Sequence, residues 1–151
     1  MVELREINKD NYEQCIKLQV AEKQKSFVAS NVYSLAQAWV FQKTAYPFAI
    51  YEDNIMVGFV MMGYYEEKQA YTIWRFMIDA RYQGKGYGKK ALQLSIDYLR
   101  KEHHVNEIYL SFVSGNIAAE KLYGSLGFQK TGVMEGDEFE MRLEIINNQP
   151  N

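Results

Sequence analysis

The feature that most constrains this chain is a glycine-rich stretch between an apolar run and a helical pattern. The apolar run Ile73–Ile78 predicts a strand, and a helical pattern begins near Tyr87. Alternating glycines at a strand-to-helix junction let the backbone approach a ligand and leave N–H groups free at a helix N-terminus. The helix dipole disfavours positive charge at this point, yet three lysines crowd it: Lys85, Lys89 and Lys90. The stretch therefore predicts an anion site, best suited to a phosphate or pyrophosphate.

Two common phosphate-binding patterns do not fit these glycines. A dinucleotide-binding fingerprint would need a further glycine where Lys89 stands. A P-loop would need a glycine in place of Gln83 and a serine or threonine in place of Lys90. The pattern that fits is Arg-x-x-Gly-x-Gly, formed by Arg81, Gly84 and Gly86. Taken alone, this short pattern is also compatible with an ordinary loop.

A second pattern lies downstream, Asn-x-x-Ala-x-x-Leu-Tyr-x-x-x-Gly-Phe from Asn116 to Phe128. Asn116 is a good helix N-cap, and Gly127 is a good left-handed residue to end a short helix. Between them, residues at helical spacing would form one inward stripe: Ala119, Leu122, Tyr123 and Leu126. The hydroxyl of Tyr123 would then point into the fold, where it needs a polar partner.

The two patterns, in this order, resemble the motifs of the GCN5-related N-acetyltransferase (GNAT) family. The stretch from Arg75 to Lys90 looks closest to bacterial diamine and spermine/spermidine N-acetyltransferases. The resemblance covers nearly the whole chain and implies transfer of an acetyl group from acetyl-CoA to a primary amine. It implies a small-molecule acceptor, most simply a polyamine or diamine such as spermidine or spermine, direct attack in a ternary complex, and no metal ion. Because dimers are common in this family, it also allows a homodimer.

The resemblance implies which residues hold the cofactor. Backbone groups of Phe76, Met77 and Ile78 would pair with the pantetheine arm like an added strand, and Asn116 would contact the same arm. The glycine loop and first helical turn would hold the pyrophosphate, and the residues expected there are Arg81, Gln83, Gly84, Lys85, Gly86, Tyr87, Gly88 and Lys89.

The resemblance also suggests catalytic residues, each with a structural alternative. Tyr123 would protonate the departing thiolate, or it is a core aromatic residue whose hydroxyl reaches a carbonyl. Glu22 is the first candidate for the general base, since its segment covers the acceptor site in related enzymes, or it is a solvated helix residue. Weaker candidates are Glu66, Glu67 and Asp79. Asp79 is expected instead to support the glycine loop by pairing with Arg81.

Other residues could shape an acceptor site. Trp74 and the Tyr64–Tyr65 pair would form an apolar or cation–π wall for an alkylamine, or they belong to the core. The acidic run Glu135–Glu140 could line an amine-binding mouth, although a solvated hairpin turn is the simpler interpretation.

Composition excludes several classes of protein. The net charge of −2 argues against general nucleic-acid binding. The single cysteine, Cys15, excludes an internal disulfide and is expected to be a buried thiol. No signal peptide or long apolar span is visible, which predicts a cytoplasmic protein without a membrane partner. His103 and His104 end a predicted helix and are expected to be surface or capping residues.

The order of elements follows from the same patterns. A first strand at Val2–Ile7 precedes a helix capped by Asp10, and Ser34 with Gln37 forms a capping box for a second helix. Further strands are predicted at Tyr46–Tyr51, Ile55–Tyr65, Tyr71–Ile78, Glu107–Val113, Phe128–Met134 and Phe139–Ile145, with helices after Tyr87 and Asn116. This predicts an α/β (α+β) GNAT fold: one mixed, mostly antiparallel twisted sheet of about seven strands flanked by about four helices. One domain would span residues 1–146, followed by a frayed tail at 147–151.

Two alternatives to the acetylation of a polyamine or diamine remain open at this point. The same chemistry could serve a protein N-terminus or lysine, or an aminoglycoside. The chain could also be a CoA-binding regulatory module with little turnover. Tyr123 weighs against the last, because a sensor has no need for a group that protonates a thiolate.

Overall fold

A computed structural model describes residues 1–146, so the predicted tail at 147–151 lies outside the described residues. Seven strands form one sheet: β1 (Val2–Glu6), β2 (Ala45–Glu52), β3 (Ile55–Tyr65), β4 (Ala70–Ile78), β5 (Glu107–Val113), β6 (Gln129–Glu135) and β7 (Glu138–Glu144). Four α-helices accompany them in this part of the chain: α1 (Tyr12–Lys17), α2 (Asn31–Val40), α3 (Tyr87–His103) and α4 (Ile117–Ser125). The predicted fold class is confirmed.

The sheet splits between two central strands. Its strand order is β1-β2-β3-β4-β5-β7-β6, and all neighbours run antiparallel except β4 and β5. Those two parallel strands pair only at Thr72 and Tyr109. Beyond this pair they no longer share hydrogen bonds, so a wedge opens between the C-terminal halves of β4 and β5.

Helices cover both faces of the sheet. One core cluster joins α3 and α4 to the sheet and includes Leu92, Leu99 and Tyr123. A second cluster, on the other face, joins Cys15 and Ala38 of α1 and α2 to the same strands. Successive residues of β3 alternate between the two clusters, which explains its almost continuous apolar sequence.

The starts of the first two helices differ from the sequence prediction. Ser34 does not begin α2, because the Ser30 hydroxyl accepts the Tyr33 N–H at 3.1 Å and acts as the N-cap. Ser34 lies one turn inside the helix, fully buried, and donates its hydroxyl to the Ser30 carbonyl. Helix α1 begins after Asn11 rather than Asp10.

Three predictions about single side chains have different outcomes. Cys15 is buried as expected, and burial raises its pKa to about 12. His104 ends α3 as a left-handed cap, whereas His103 is half-buried: its ring stacks on Tyr46 at 4.5 Å, and burial lowers its pKa. The acidic run is only partly a solvated turn, because Glu140 is 6% exposed and pairs with Lys68.

Residues 1–146 lack two kinds of feature. None of their helices is long and apolar enough to cross a membrane. They also contain no group of three or more histidine, cysteine, aspartate or glutamate side chains that could hold a metal ion.

Candidate active site

A cavity of about 330 Å³ lies in the wedge between β4 and β5. It is bounded by the end of β4, the glycine loop, the start of α3, one side of α4 and the segment between α1 and α2. The cavity brings together most of the residues predicted to bind the cofactor: Phe76, Met77, Ile78, Gln83, Gly84, Gly86, Tyr87, Gly88, Lys89 and Asn116. Tyr123 lines it as well.

The glycine loop has a backbone that suits a negatively charged group. Gly84 and Gly86 have φ angles of +77° and +83°, and no atom lies within 4 Å of where a side chain would begin at either. Gly86 stands at the N-cap of α3, so no side chain caps the first N–H groups of that helix. The first turn also lacks an acidic residue and carries Lys89 and Lys90. Unsatisfied donors, a helix N-terminus and lysines together fit a pyrophosphate.

Asp79 holds this loop in place, as the sequence predicted. Its carboxylate accepts the Arg81 N–H at 3.0 Å and the Arg81 Nε–H at 2.9 Å, and the Gln19 N–H at 3.0 Å. Burial alone would raise the pKa of the Asp79 carboxyl, but these hydrogen bonds outweigh it and hold the pKa below its ordinary value. Because Arg81 is paired in this way, its side chain does not line the cavity.

The edge of β4 offers backbone groups to the wedge. The Asp79 N–H donates to the Val57 carbonyl across the sheet, so the neighbouring Ile78 points its backbone groups the other way, into the wedge. Phe76, two residues earlier, has the same orientation as Ile78. The Ile78 carbonyl accepts the Gln83 side-chain amide at 2.8 Å, and the same amide donates to Gln24 at 2.9 Å.

Tyr123 sits on α4 with its side chain at the cavity. The residue is 8% exposed, and its ring meets Phe128 edge-on at 6.1 Å. Within residues 1–146, no group forms a hydrogen bond with its hydroxyl. Burial raises its pKa to about 12, so the hydroxyl carries its proton at neutral pH.

A second cavity, of about 510 Å³, lies beside the point where β4 and β5 separate. Two hairpin turns contribute carboxylates to it, Glu66 and Glu67 from the β3–β4 turn and Glu135 and Glu138 from the strands flanking the β6–β7 turn. Its aromatic lining residues are Phe41, Tyr64, Tyr65, Trp74 and Tyr109. The Trp74 ring meets Phe41 edge-on at 6.1 Å, and the Tyr65 hydroxyl donates to Glu67 at 2.9 Å.

Two cations also reach this second cavity, and they differ in their partners. Lys68 pairs with the buried Glu140, and its ammonium lies 4.8 Å from the centre of the Tyr109 ring. Arg75 donates to the Gln37 side chain at 2.8 Å and to the Trp74 carbonyl at 2.9 Å. Among the described residues, no carboxylate lies within 4 Å of Arg75, and its buried Nε has no hydrogen-bond partner.

Comparison with known proteins decides the family. The sequence profile of the acetyltransferase (GNAT) family matches residues 3–128. The chain belongs to this family. It is 34% identical over 142 residues to the spermine/spermidine N(1)-acetyltransferase of Bacillus subtilis (strain 168), covering 89% of this chain and 91% of that relative. GNAT acetyltransferases use acetyl-CoA as the acetyl donor.

Solved structures show the same fold at low sequence identity. The spermidine N-acetyltransferase of Vibrio cholerae, in complex with CoA and spermine, matches with a TM-score of 0.76 and 18% identity over 95% of both chains. A domain from Methanocaldococcus jannaschii DSM 2661 matches with a TM-score of 0.77 and 19% identity, over 96% of this chain and 99% of the domain.

Besides Arg81, two of the residues predicted for the site of this acetyltransferase lie outside both cavities. The side chain of Glu22 is 87% exposed, pairs with Lys25 at 2.7 Å, and lines neither cavity. Lys85 lies on the exposed side of the glycine loop and is absent from the cavity wall.

Sequence reasoning missed part of both walls of the acetyltransferase site. Four residues of the segment between α1 and α2 line the first cavity: Val20, Gln24, Phe27 and Val28. Tyr82, just before the glycine loop, lines it as well. No charge or motif marks the four residues between α1 and α2. The second cavity includes Gln37, Thr72 and Arg75, and Arg75 did carry a signal: it is a charged residue inside an otherwise apolar strand.

Proposed function

We propose that this acetyltransferase acetylates a primary amine of a polyamine or diamine such as spermidine or spermine. The observation that carries the proposal is the second cavity, where two turns present four carboxylates around an aromatic wall. A polyamine carries several ammonium groups on an apolar chain, and carboxylates and aromatic rings are the groups that attract such ammonium groups. The Bacillus subtilis relative, named for spermine and spermidine, supports the same class of acceptor.

The first cavity would hold acetyl-CoA, which supplies an activated acetyl thioester when bound. Backbone amides from Gln83 through Lys89 would bind its pyrophosphate, and the backbone groups of Phe76 and Ile78 would pair with the pantetheine arm. The backbone of Met77, predicted to join them, faces β3 instead. Asn116 lines the same cavity, although its side-chain oxygen accepts the Ala119 N–H at 3.3 Å as the N-cap of α4. Arg81 would contribute by holding the loop through Asp79.

Tyr123 would donate a proton to the departing thiolate. Its raised pKa keeps the hydroxyl protonated, and no described residue competes for that proton. The hydroxyl is therefore protonated and free to donate its proton to the thiolate, as this step requires.

The amine must also lose a proton before it attacks. Only roughly a thousandth of an amine with the pKa of lysine is neutral at pH 7. The exposed, paired position of Glu22 argues against direct proton abstraction by its carboxylate. Asp79 is also unsuited, because its lowered pKa makes it a weak base.

The test is the release of CoA thiol from acetyl-CoA with spermine, spermidine and putrescine as acceptors. In the double variant Glu67→Gln/Glu135→Gln, we expect the KM for spermidine to rise about tenfold, as the loss of two weak ion pairs would produce. The KM for acetyl-CoA should not change. Glu13→Gln removes one charge from an exposed site on α1 and serves as the control. Binding of CoA without acetylation of any polyamine would refute the proposal and favour a regulatory role.

Arg75 favours a second candidate, an acceptor that carries a carboxylate beside its amine. An arginine with no carboxylate partner in an acceptor-sized cavity is a common way to recognise such a group. Adding 2,4-diaminobutyrate to the acceptor panel separates the candidates. If it exceeds the polyamines in kcat/KM, and Arg75→Gln removes that advantage, the second candidate replaces the first.

Two further proposals concern the whole protein. Its cytoplasmic location stays a prediction of the sequence. We also propose that the acetyltransferase forms a homodimer, and the contact surface is derived next.

A further inference from the structure

Helix α2 is apolar on the face that points away from the sheet. Exposed residues on that face are Val32, Tyr33, Ala36, Trp39 and Val40, and we call this set the outer face of α2. Successive helical residues turn by about 100°, so the set forms a single stripe about 120° wide. The opposite side of α2 contacts the sheet through Asn31, Ser34 and Ala38.

The large apolar side chains of the outer face are more exposed than large apolar side chains usually are. Trp39 is 73% exposed, Val40 70%, Val32 57% and Tyr33 56%. A helix that is apolar all round is normally buried on every side. Here only one side is covered, so the other side has the composition of a contact surface.

Charge narrows the choice of partner. No charged residue lies between Lys25 and Lys43, which is the longest charge-free stretch of the sequence. Helices that lie on membrane surfaces carry lysine or arginine on their polar side, and α2 has none. A charged protein partner would find no opposite charge on this face. A second copy of the outer face is equally apolar and uncharged, so the two surfaces are complementary.

The order of residues along the outer face is symmetric about Ala36. Val32 and Val40 lie four residues to either side of Ala36, and the aromatic residues Tyr33 and Trp39 lie three to either side. Two antiparallel copies related by a two-fold axis at Ala36 would place valine against valine and tyrosine against tryptophan. The small side chain at the centre allows the helices to approach closely. Two-fold contacts of this kind are the commonest in homo-oligomers.

We propose that the outer face of α2 is the contact surface of a homodimer, with the two α2 helices packed antiparallel across a two-fold axis at Ala36. A fully buried aromatic residue removes about 150–250 Å² from water. At the observed exposure, Tyr33 and Trp39 alone offer on the order of 300 Å². A stable interface needs roughly 800 Å² per partner, so the aromatic residues form its centre and the valines and flanking polar residues supply the rest.

In the proposed dimer, the contact surface would lie next to the acceptor site. Gln37 and Phe41, on or directly after α2, contact Arg75 and Trp74 in the second cavity. The same short helix therefore has the proposed partner on one side and the wall of the acceptor cavity on the other.

The test is the oligomeric state, measured by sedimentation over a wide range of concentrations. The wild type should sediment as a dimer. In Ala36→Glu two carboxylates would face each other across the axis, and the dissociation constant should rise by about a hundredfold or more. Ile55→Glu adds the same charge at another exposed apolar residue, 53% exposed, and should leave the dimer intact. An equal mixture of Ala36→Glu and Ala36→Lys should restore dimers, because opposite charges then meet.

A second measurement does not depend on the folding of a charged variant. Cys15 is fully buried, so Ala36→Cys introduces the one accessible thiol among residues 1–146. A thiol at the two-fold axis should form a disulfide-linked dimer under mild oxidation, whereas Ile55→Cys should not. A monomeric wild type, a dimer that Ala36→Glu does not weaken, or equal cross-linking of the two cysteine variants would overturn the proposal.

Discussion

Among single residues, Tyr123 links the fold to the chemistry most directly. It is buried on α4, faces the cavity between β4 and β5, and has a hydroxyl without a hydrogen-bond partner among residues 1–146. The hydroxyl is not one of the fully buried polar atoms that lack a partner, so it is open to the space of the cavity. Its position is better explained by a partner that arrives with the substrate.

Tyr123→Phe removes this hydroxyl and keeps the ring. We expect kcat to fall by about a hundredfold, the lower end of the usual effect of a general acid, with little change in the KM for acetyl-CoA. Tyr98→Phe removes a hydroxyl far from the cavity, on α3, and should leave kcat unchanged. Steady-state kinetics on both variants decide the matter, and an unchanged kcat in Tyr123→Phe would make the residue structural.

Glu22 leads to the opposite expectation. Because its carboxylate is exposed and paired with Lys25, Glu22→Gln should keep kcat/KM within about twofold of the wild type across the pH range. The pH profile of kcat/KM is the measurement. Loss of its acidic limb in the variant would show that Glu22 takes the proton after all.

Asp79 has a role in stability that depends on pH. At neutral pH, Asp79→Asn should lower the free energy of unfolding by about 2 kcal/mol, because it loses charge-assisted hydrogen bonds to Arg81 and Gln19. The folded-state pKa of this carboxyl is lowered, so its contribution is complete above the unfolded pKa of about 4. The contribution is lost as the pH falls through the folded-state pKa.

The measurement for Asp79 is the difference in Tm between wild type and Asp79→Asn as the pH is lowered. The difference should be largest near neutral pH and shrink as the solution becomes more acidic than pH 4. A difference that stays constant with pH would show that the charge on Asp79 is not the cause.

At the scale of elements, the glycine loop depends on backbone conformations that other residues avoid. Gly86→Ala should strain the loop by about 1 kcal/mol or more, since φ at this position is +83°. We expect the KM for acetyl-CoA to rise about fivefold to tenfold while the KM for the amine changes little. Gly132, on β6, has a φ of +91° and equally open surroundings, so Gly132→Ala imposes a similar strain away from the cavity. Equal effects of both substitutions on cofactor binding would contradict the assigned role of the loop.

Local sequence signals predicted the strands better than the helix starts. β3 and β4 are apolar because both faces of the sheet are covered, and this pattern fixed their bounds to within a residue. The start of α2 was predicted wrongly because Ser34 has the sequence pattern of an N-cap, whereas in the structure Ser30 caps the helix. What distinguishes them is the burial of Ser34, and Gln37 turns to Arg75 rather than back to the helix start. Both are tertiary effects.

At the scale of the whole molecule, the two cavities differ in how far the sequence predicts them. The first cavity is built largely from two local motifs, so the resemblance that those motifs carry implied most of its residues. It did not include Ala118 of α4, or Val20, Gln24, Phe27, Val28 and Tyr82. The second cavity, proposed for the acceptor, gathers side chains from α2, β4, β5 and two distant turns. No local pattern shows that Glu66 and Glu135 border the same space, because their proximity depends on the split between β4 and β5.

That split leaves the two halves of the sheet with a single backbone pairing between β4 and β5, and Lys68 supplies an additional link. From the turn before β4, its ammonium pairs with Glu140 on β7, which is 6% exposed and also accepts the Thr131 hydroxyl at 2.9 Å. Breaking a buried pair leaves an uncompensated charge, so the cost of a single substitution should be large.

A double-mutant cycle with Lys68→Met and Glu140→Gln measures this link. Each single substitution should lower the free energy of unfolding by about 2–3 kcal/mol and raise the KM for the amine, because the β3–β4 turn carries Glu66 and Glu67. The double variant should be more stable than the sum of the single effects predicts, with a coupling of about 1 kcal/mol or more, since it leaves no unpaired charge. The KM for acetyl-CoA should stay constant throughout, because the first cavity does not include this pair. Additive effects on stability would show that the two side chains act independently, and that the single pairing at Thr72 and Tyr109 holds the halves of the sheet together without them.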